Sequence, residues 1–234
     1  YYQAGEYEKA REAFDTVLAQ KPGLPTALEM RESAEVGLLI DMKANEQLSE
    51  EAARLIDLMW RAQREAKREI EDPEGLIRNF CSSDIDTYTR ARVKALGHGP
   101  YIVPYLLPLL AQADPEKPET TTAAARAVAL MALAQPDACL PLIAALQGTD
   151  ESLLKTRIAG ALGQIGDARA VPALVATALD ESLPLSARTA AADALKMIPG
   201  VVPEELGSAP SEYMKLGRLY FVEDEQKVGY TYGM

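Results

Sequence analysis

The sequence predicts an all-α chain folded as a right-handed α–α superhelix, a solenoid of stacked helix pairs. Three observations carry this reading. Residues 150–200 contain one unit twice: Lys155-Thr-Arg-Ile-Ala-Gly-Ala-Leu162 followed by Val171-Pro172, then Arg188-Thr-Ala-Ala-Ala-Asp-Ala-Leu195 followed by Val202-Pro203. The same frame catches Arg126 to Leu133 with Pro141, and Thr89 to Leu96 with Pro104, so the prolines step by 37, 31 and 31 residues. A period of this size without strand signals means a helical repeat. The composition agrees: 48% apolar residues, rich in Ala and Leu, with one Trp, ten Tyr and three Phe, which suits helices whose axes approach closely.

From the start, Gly5 is placed in an inter-helix turn, Ala10, Phe14 and Val17 follow at helical spacing, and Pro22 ends the helix. Residues 1–22 thereby resemble the second half of a tetratricopeptide (TPR) repeat, which implies further repeats before Tyr1. Residues 24–42 read as the first helix of another repeat or as a capping helix. Ser49-Glu50-Glu51 is a helix start with an N-cap hydroxyl and two carboxylates. That helix runs through Leu55, Leu58 and Met59 to Arg61, Arg64, Lys67 and Arg68, with Trp60 at a repeat junction. Glu71-Asp72-Pro73 breaks it, and the boundary between two arrays falls there or at Cys81-Ser82-Ser83. The division adopted is 1–80 for TPR-like helices and the long helix, 81–206 for the solenoid, and 207–234 for a last helix and tail. Tyr213, Leu216 and Tyr220 share a face of that helix, and 223–234 is Gly/Tyr-rich and strand-like, the start of another domain or a loose tail.

The repeated helices, with partners opened by Val103-Pro104, Leu140-Pro141, Val171-Pro172 and Val202-Pro203, resemble the HEAT family over residues 84–205. The likeness is to the HEAT-like repeats of phycobilisome lyases. It implies helix pairs at 101–112/119–134, 137–147/151–165 and 168–179/184–198. It also implies a structural ladder in which Asp114, Asp150 and Asp180 contact Arg126, Lys155 and Arg188. Asp114-Pro-Glu-Lys-Pro-Glu119 reads as an insertion that lengthens the first step.

Chemistry is sparse. Thirty-five acidic against 24 basic residues give a net charge of −11, which disfavours binding to phosphate backbones or anionic membranes. Cys81 and Cys139 form no disulfide framework and no zinc spacing, and Cys139 reads as core. His98, the one histidine, reads as a helix-end residue. Gly160, Gly163 and Gly166 lie in and after a helix with no preceding strand, so they serve close packing and a C-cap rather than a phosphate loop. No apolar run is long enough to span a membrane.

The expected function is a non-enzymatic scaffold holding a protein or peptide partner, with no cofactor, no metal, no nucleic acid and no membrane insertion. The alternative is a subunit of a bilin-lyase-like or other enzyme complex. The cytoplasm is favoured, with an upstream signal left open. The partner is expected on the concave face, formed by the helices carrying the basic slot. Counting from that slot places Lys94, Val128, Met131 and Arg157 outward, an apolar spot of Val128 and Met131 flanked by Lys94 and Arg157.

Overall fold

The computed structural model describes residues 1–134 and 137–221; the strand-like reading of 223–234 lies outside them. The described residues form thirteen α-helices linked by turns and short 3₁₀ segments, with no strand among them. The fold is the all-α helical-repeat solenoid that the sequence predicts. The chain divides into two compact units, Tyr1–Ile70 and Glu71–Met234.

In the first unit, Gly5 turns the chain at φ +75° ahead of α1 (Tyr7–Ala19), a conformation that favours a residue without Cβ. The stretch 24–42 is two helices, α2 (Leu24–Ser33) and α3 (Val36–Ala44), because Ala34 and Glu35 are both extended. All three pack on α4 (Ser49–Arg68). Ser49 is the first helical residue, and the fully buried Leu48 takes the N-cap position one residue earlier than expected. Ala10, Leu39, Leu48, Ala52, Leu55, Ile56 and Met59 make the core, with Phe14, Val17 and Trp60 packed around it. The Arg31 guanidinium lies 4.3 Å from the Trp60 ring centroid.

The second unit consists of four helix hairpins and a final helix. The hairpins are α5 (Pro73–Phe80) with α6 (Ile85–Gly97), α7 (Val103–Ala111) with α8 (Pro118–Leu133), α9 (Cys139–Gly148) with α10 (Ser152–Ile165), and α11 (Val171–Leu179) with α12 (Leu185–Met197); α13 (Ala209–Phe221) follows. The even-numbered helices α6, α8, α10 and α12 neighbour one another in one layer, and α5, α7, α9 and α11 in the other. Burial repeats in register. Leu76, Leu106, Leu142 and Leu174 occupy one core position of the odd layer. In the even layer Ala91, Ala127, Ile158 and Ala191 share one position, and Ala95, Met131, Leu162 and Leu195 the next.

Local chemistry sets the helix starts. Asp72 and Asp84 accept the backbone N–H groups of Gly75 and Thr87, each at 2.8 Å, satisfying donors that a first turn leaves unpaired. Proline occupies the first turn of α5, α7, α8 and α11, where no intrahelical N–H is needed. Two prolines of the expected series behave differently. Pro141 is the third residue of α9, one position deeper than Pro104 in α7. Pro203 opens only a 3₁₀ turn, and α13 begins at Ala209.

Candidate functional site

The four residues expected to face a partner do not form an exposed apolar spot. Met131 is 1% exposed and Ala127 fully buried, Val128 is half-buried, and only Lys94 stands in solvent. Arg157 lies against the end of α7, where its guanidinium donates to the carbonyls of Leu110, Ala111 and Ala113. The cause is a register slip. Matching Arg126 to Lys155 and Arg188 rotates α8 by two residues, whereas burial aligns Met131 with Leu162 and therefore Arg126 with Arg157. Two residues are about 200° on a helix, enough to exchange the inner and outer faces.

The Asp–Arg ladder is corrected in the same way. Among the described residues, Asp114, Asp150 and Asp180 make no ion pair with Arg126, Lys155 or Arg188. Asp114 instead accepts the N–H of Glu116 at 3.0 Å, pairs with Lys117 at 3.4 Å, and anchors the insertion to Thr120 and Thr121. Arg126 donates to the carbonyls of Phe80 (3.3 Å) and Ser82 (2.7 Å) at the end of α5, with its guanidinium 4.0 Å from the Tyr88 ring centroid. Lys155 donates to the Leu146 carbonyl near the end of α9 at 2.9 Å. Cations thus cap the carbonyl ends of α5, α7 and α9, where unpaired acceptors and the helix dipole favour positive charge. Asp180 retains part of the expected electrostatics. Its hydrogen bonds from Ser182 hold its carboxyl below the usual range, and the charges of Lys155 and Arg188 lower it further. The Arg188 Nε is buried without a hydrogen-bond partner.

With Arg126, Lys155 and Arg157 turned to helix ends, the outer side of the odd layer stands out. Helices α7, α9 and α11 contain no charged residue. In register, the outward positions are Glu74, Pro104, Leu140 and Pro172, and one turn later Arg78, Pro108, Ala144 and Ala176. Glu74 and Arg78 make α5 an ordinary solvated face. On α7 and α9 the equivalents Pro104, Pro108, Leu140 and Ala144 are exposed yet apolar, with Tyr105 beside them at 42% and Leu140 at 52% exposure. Pro108 also removes the amide that would reach the Pro104 carbonyl. The exposed outer surface across these two adjacent helices thus carries no charge. The signal was in the sequence, since 138–149 and 101–113 lack Asp, Glu, Lys and Arg.

On α11 the corresponding surface is covered. Pro172 is buried and Ala176 half-buried where their α7 and α9 counterparts are exposed. The cover is α13 and the segment that leads into it. Pro172, Val171, Val201, Leu206, Leu216 and Leu219 border a cavity of about 390 Å³ that Asp167, Arg169, Glu212 and Lys215 also line. Helix α13 packs on α11 and reaches α9, where Gln147 Nε2 donates to the Tyr213 hydroxyl at 2.6 Å. A helix continuing the layer would be shielded from α9 by α11, so α13 lies over the layer. Its inner stripe is Ala209, Glu212, Leu216 and Leu219, with Tyr213 and Tyr220 at the edge rather than at the centre. Glu212 is 6% exposed and takes donors from the Gly207 N–H (2.8 Å) and Lys215 (2.7 Å). The Lys215 bond chiefly holds its carboxyl below the usual range.

The other titratable candidates are structural. Cys139 is fully buried and burial pushes its thiol up to about 12, so it carries no thiolate for nucleophilic work. His98 takes the C-cap position of α6, its backbone N–H directed to the Ala95 and Leu96 carbonyls. In the 3₁₀ turn that precedes α11, Arg169 and Asp167 form an ion pair at 2.5 Å with 5% and 17% side-chain exposure. No described helix is long and apolar enough to cross a membrane.

Residues 103–196, from the first residue of α7 to near the end of α12, match the family model of HEAT repeats. A search among curated proteins returned no match.

Proposed function

We propose that this chain is a non-enzymatic scaffold that holds a protein partner on the uncharged outer face of α7 and α9. HEAT repeats are helical-repeat scaffolds for protein interaction, and the single observation that carries the finer reading is the exposed, charge-free strip of Pro104, Tyr105, Pro108, Leu140 and Ala144. Such a strip suits the apolar ridge of an amphipathic helix, whose own polar side remains in water. The charged positions Glu74 and Arg78 give it a polar rim at one end, as interfaces have. A net charge of −11 and the lack of any cation on the strip argue against nucleic acid. The first unit is read as TPR-like and as a second interaction module.

Comparative affinity purification tests this. Leu140→Glu with Ala144→Glu is expected to remove partners that co-purify with the wild-type chain, while Val93→Glu on α6 leaves them in place. Equal recovery from both variants would contradict the assignment of the face.

A further inference from the structure

The way α13 covers α11 identifies what kind of ligand the neighbouring strip takes. We infer that α13 is a displaceable intramolecular occupant of the odd-layer face, standing in for a partner helix of the same chemistry; this rests on the reading of that face as the docking surface. Three observations support it. The face is continuous: Pro104, Leu140 and Pro172 are register equivalents, exposed on α7 and α9 and covered on α11. The cover is light, because Glu212 is the one fully buried side chain among the described residues of α13, whereas Tyr213, Met214 and Tyr220 remain 41%, 62% and 38% exposed. The seat is incompletely filled by the helix, since a cavity of about 390 Å³ lies beside Leu216 and Leu219.

A well-packed solenoid helix buries several large side chains, as α10 does with Ile158, Leu162 and Ile165. Among its described side chains α13 buries Glu212 and half-buries Ala209, Leu216 and Leu219, and a helix so lightly buried opens at lower cost than the global core. The occupant this specifies is an amphipathic helix with apolar residues at the spacing of Leu216 and Leu219. It carries an acid one turn before them and a tyrosine able to accept from Gln147. In the intact chain α13 competes with such a helix at the high local concentration that covalent attachment gives. The outer face is then partly closed until a partner helix displaces it.

The test uses the full chain and a fluorescent synthetic peptide of residues 207–221. In the variants Leu216→Glu/Leu219→Glu and Leu216→Pro, α13 leaves its seat, which is read as loss of amide protection over 209–221 with protection in α10 and α12 retained. These variants are expected to bind the peptide at least about tenfold more tightly than the wild-type chain. A further Gln147→Ala change, which removes the donor to the Tyr213 hydroxyl, should weaken that binding, and Val93→Glu should not. Equal affinity of the wild-type and released chains for the peptide, or full protection of 209–221 in both variants, would overturn the inference. Either result would leave the partner test at Leu140 and Ala144 standing, so the two readings fail separately.

Discussion

Gly163 of α10 packs directly against Ala194 of α12. A Cβ on Gly163 would lie 2.8 Å from the Ala194 Cα and 2.9 Å from its Cβ. The neighbour is backbone, so it cannot swing aside. Gly163→Ala is expected to destabilise the second unit by about 1–3 kcal/mol through overpacking. Gly160 on the same helix faces open space, and Gly160→Ala should be neutral or stabilising by about 0.5–1 kcal/mol. Chemical denaturation of the two variants separates these outcomes; equal effects would refute the close approach.

The same layer explains the second expectation. Met131 shares its core position with Leu162 and Leu195, so Met131→Glu places an unpaired carboxylate among apolar side chains. A loss of about 3 kcal/mol or more is expected, against less than about 0.5 kcal/mol for Lys94→Ala at the surface. A Met131→Glu chain that melts like the wild type would put the residue outside the core.

Much of the architecture was legible from periodicity. Pro104, Pro172, Leu162 and Leu195 mark helix pairs whose bounds the structure reproduces within three residues, because the apolar stripe and the first-turn prolines are local signals. Gly163 and Gly166 were legible for the same reason. The orientation of the basic-slot helix α8 was not. It depends on which side of α8 Met131 occupies, and the slip between Arg126 and Lys155 cannot be seen without the partner helices that bury one side. The cation caps are equally non-local: Arg157 reaches carbonyls 44 to 47 residues away. The N-terminal stretch 24–42 failed through two extended residues, Ala34 and Glu35, that no breaker announces.

Arg157 yields a third prediction. Its contacts with Leu110, Ala111 and Ala113 are charge-assisted and partly buried. Arg157→Met should cost about 1.5–3 kcal/mol, typical of hydrogen bonds to a charged group. Arg126→Met should behave alike, by loss of the Phe80 and Ser82 contacts. Amide exchange after Arg157→Met should rise first at 110–113; unchanged exchange there would show that the cap is dispensable.

Glu212 makes the docking of α13 sensitive to acid. Its carboxyl titrates below the ordinary value of 4.5 in the folded chain, so its contribution is complete above that value and is lost as pH falls through the lowered one. Protection of 209–221 should therefore fall as the pH drops below the ordinary carboxylate value of 4.5, before α10 and α12 open. Glu212→Gln should remove the part of that pH dependence specific to α13. Loss of protection on raising the pH instead would reverse the assigned sign.

Thiol titration checks the core assignment of Cys139. It is fully buried with its thiol raised to about 12, whereas Cys81 is exposed. One thiol should react with a disulfide reagent in the native chain and both in denaturant. Rapid reaction of both in the native state would place Cys139 at the surface.

The central claim, that the uncharged odd-layer face is where a partner sits, is tested most directly by site-resolved photo-cross-linking. A photoreactive phenylalanine analogue is placed at Leu140, or at Val93 on α6, in the full-length chain in cells. Discrete cross-linked protein adducts are expected from position 140 and not from position 93. Adducts from position 93 alone, or the same adducts from both positions, would contradict it.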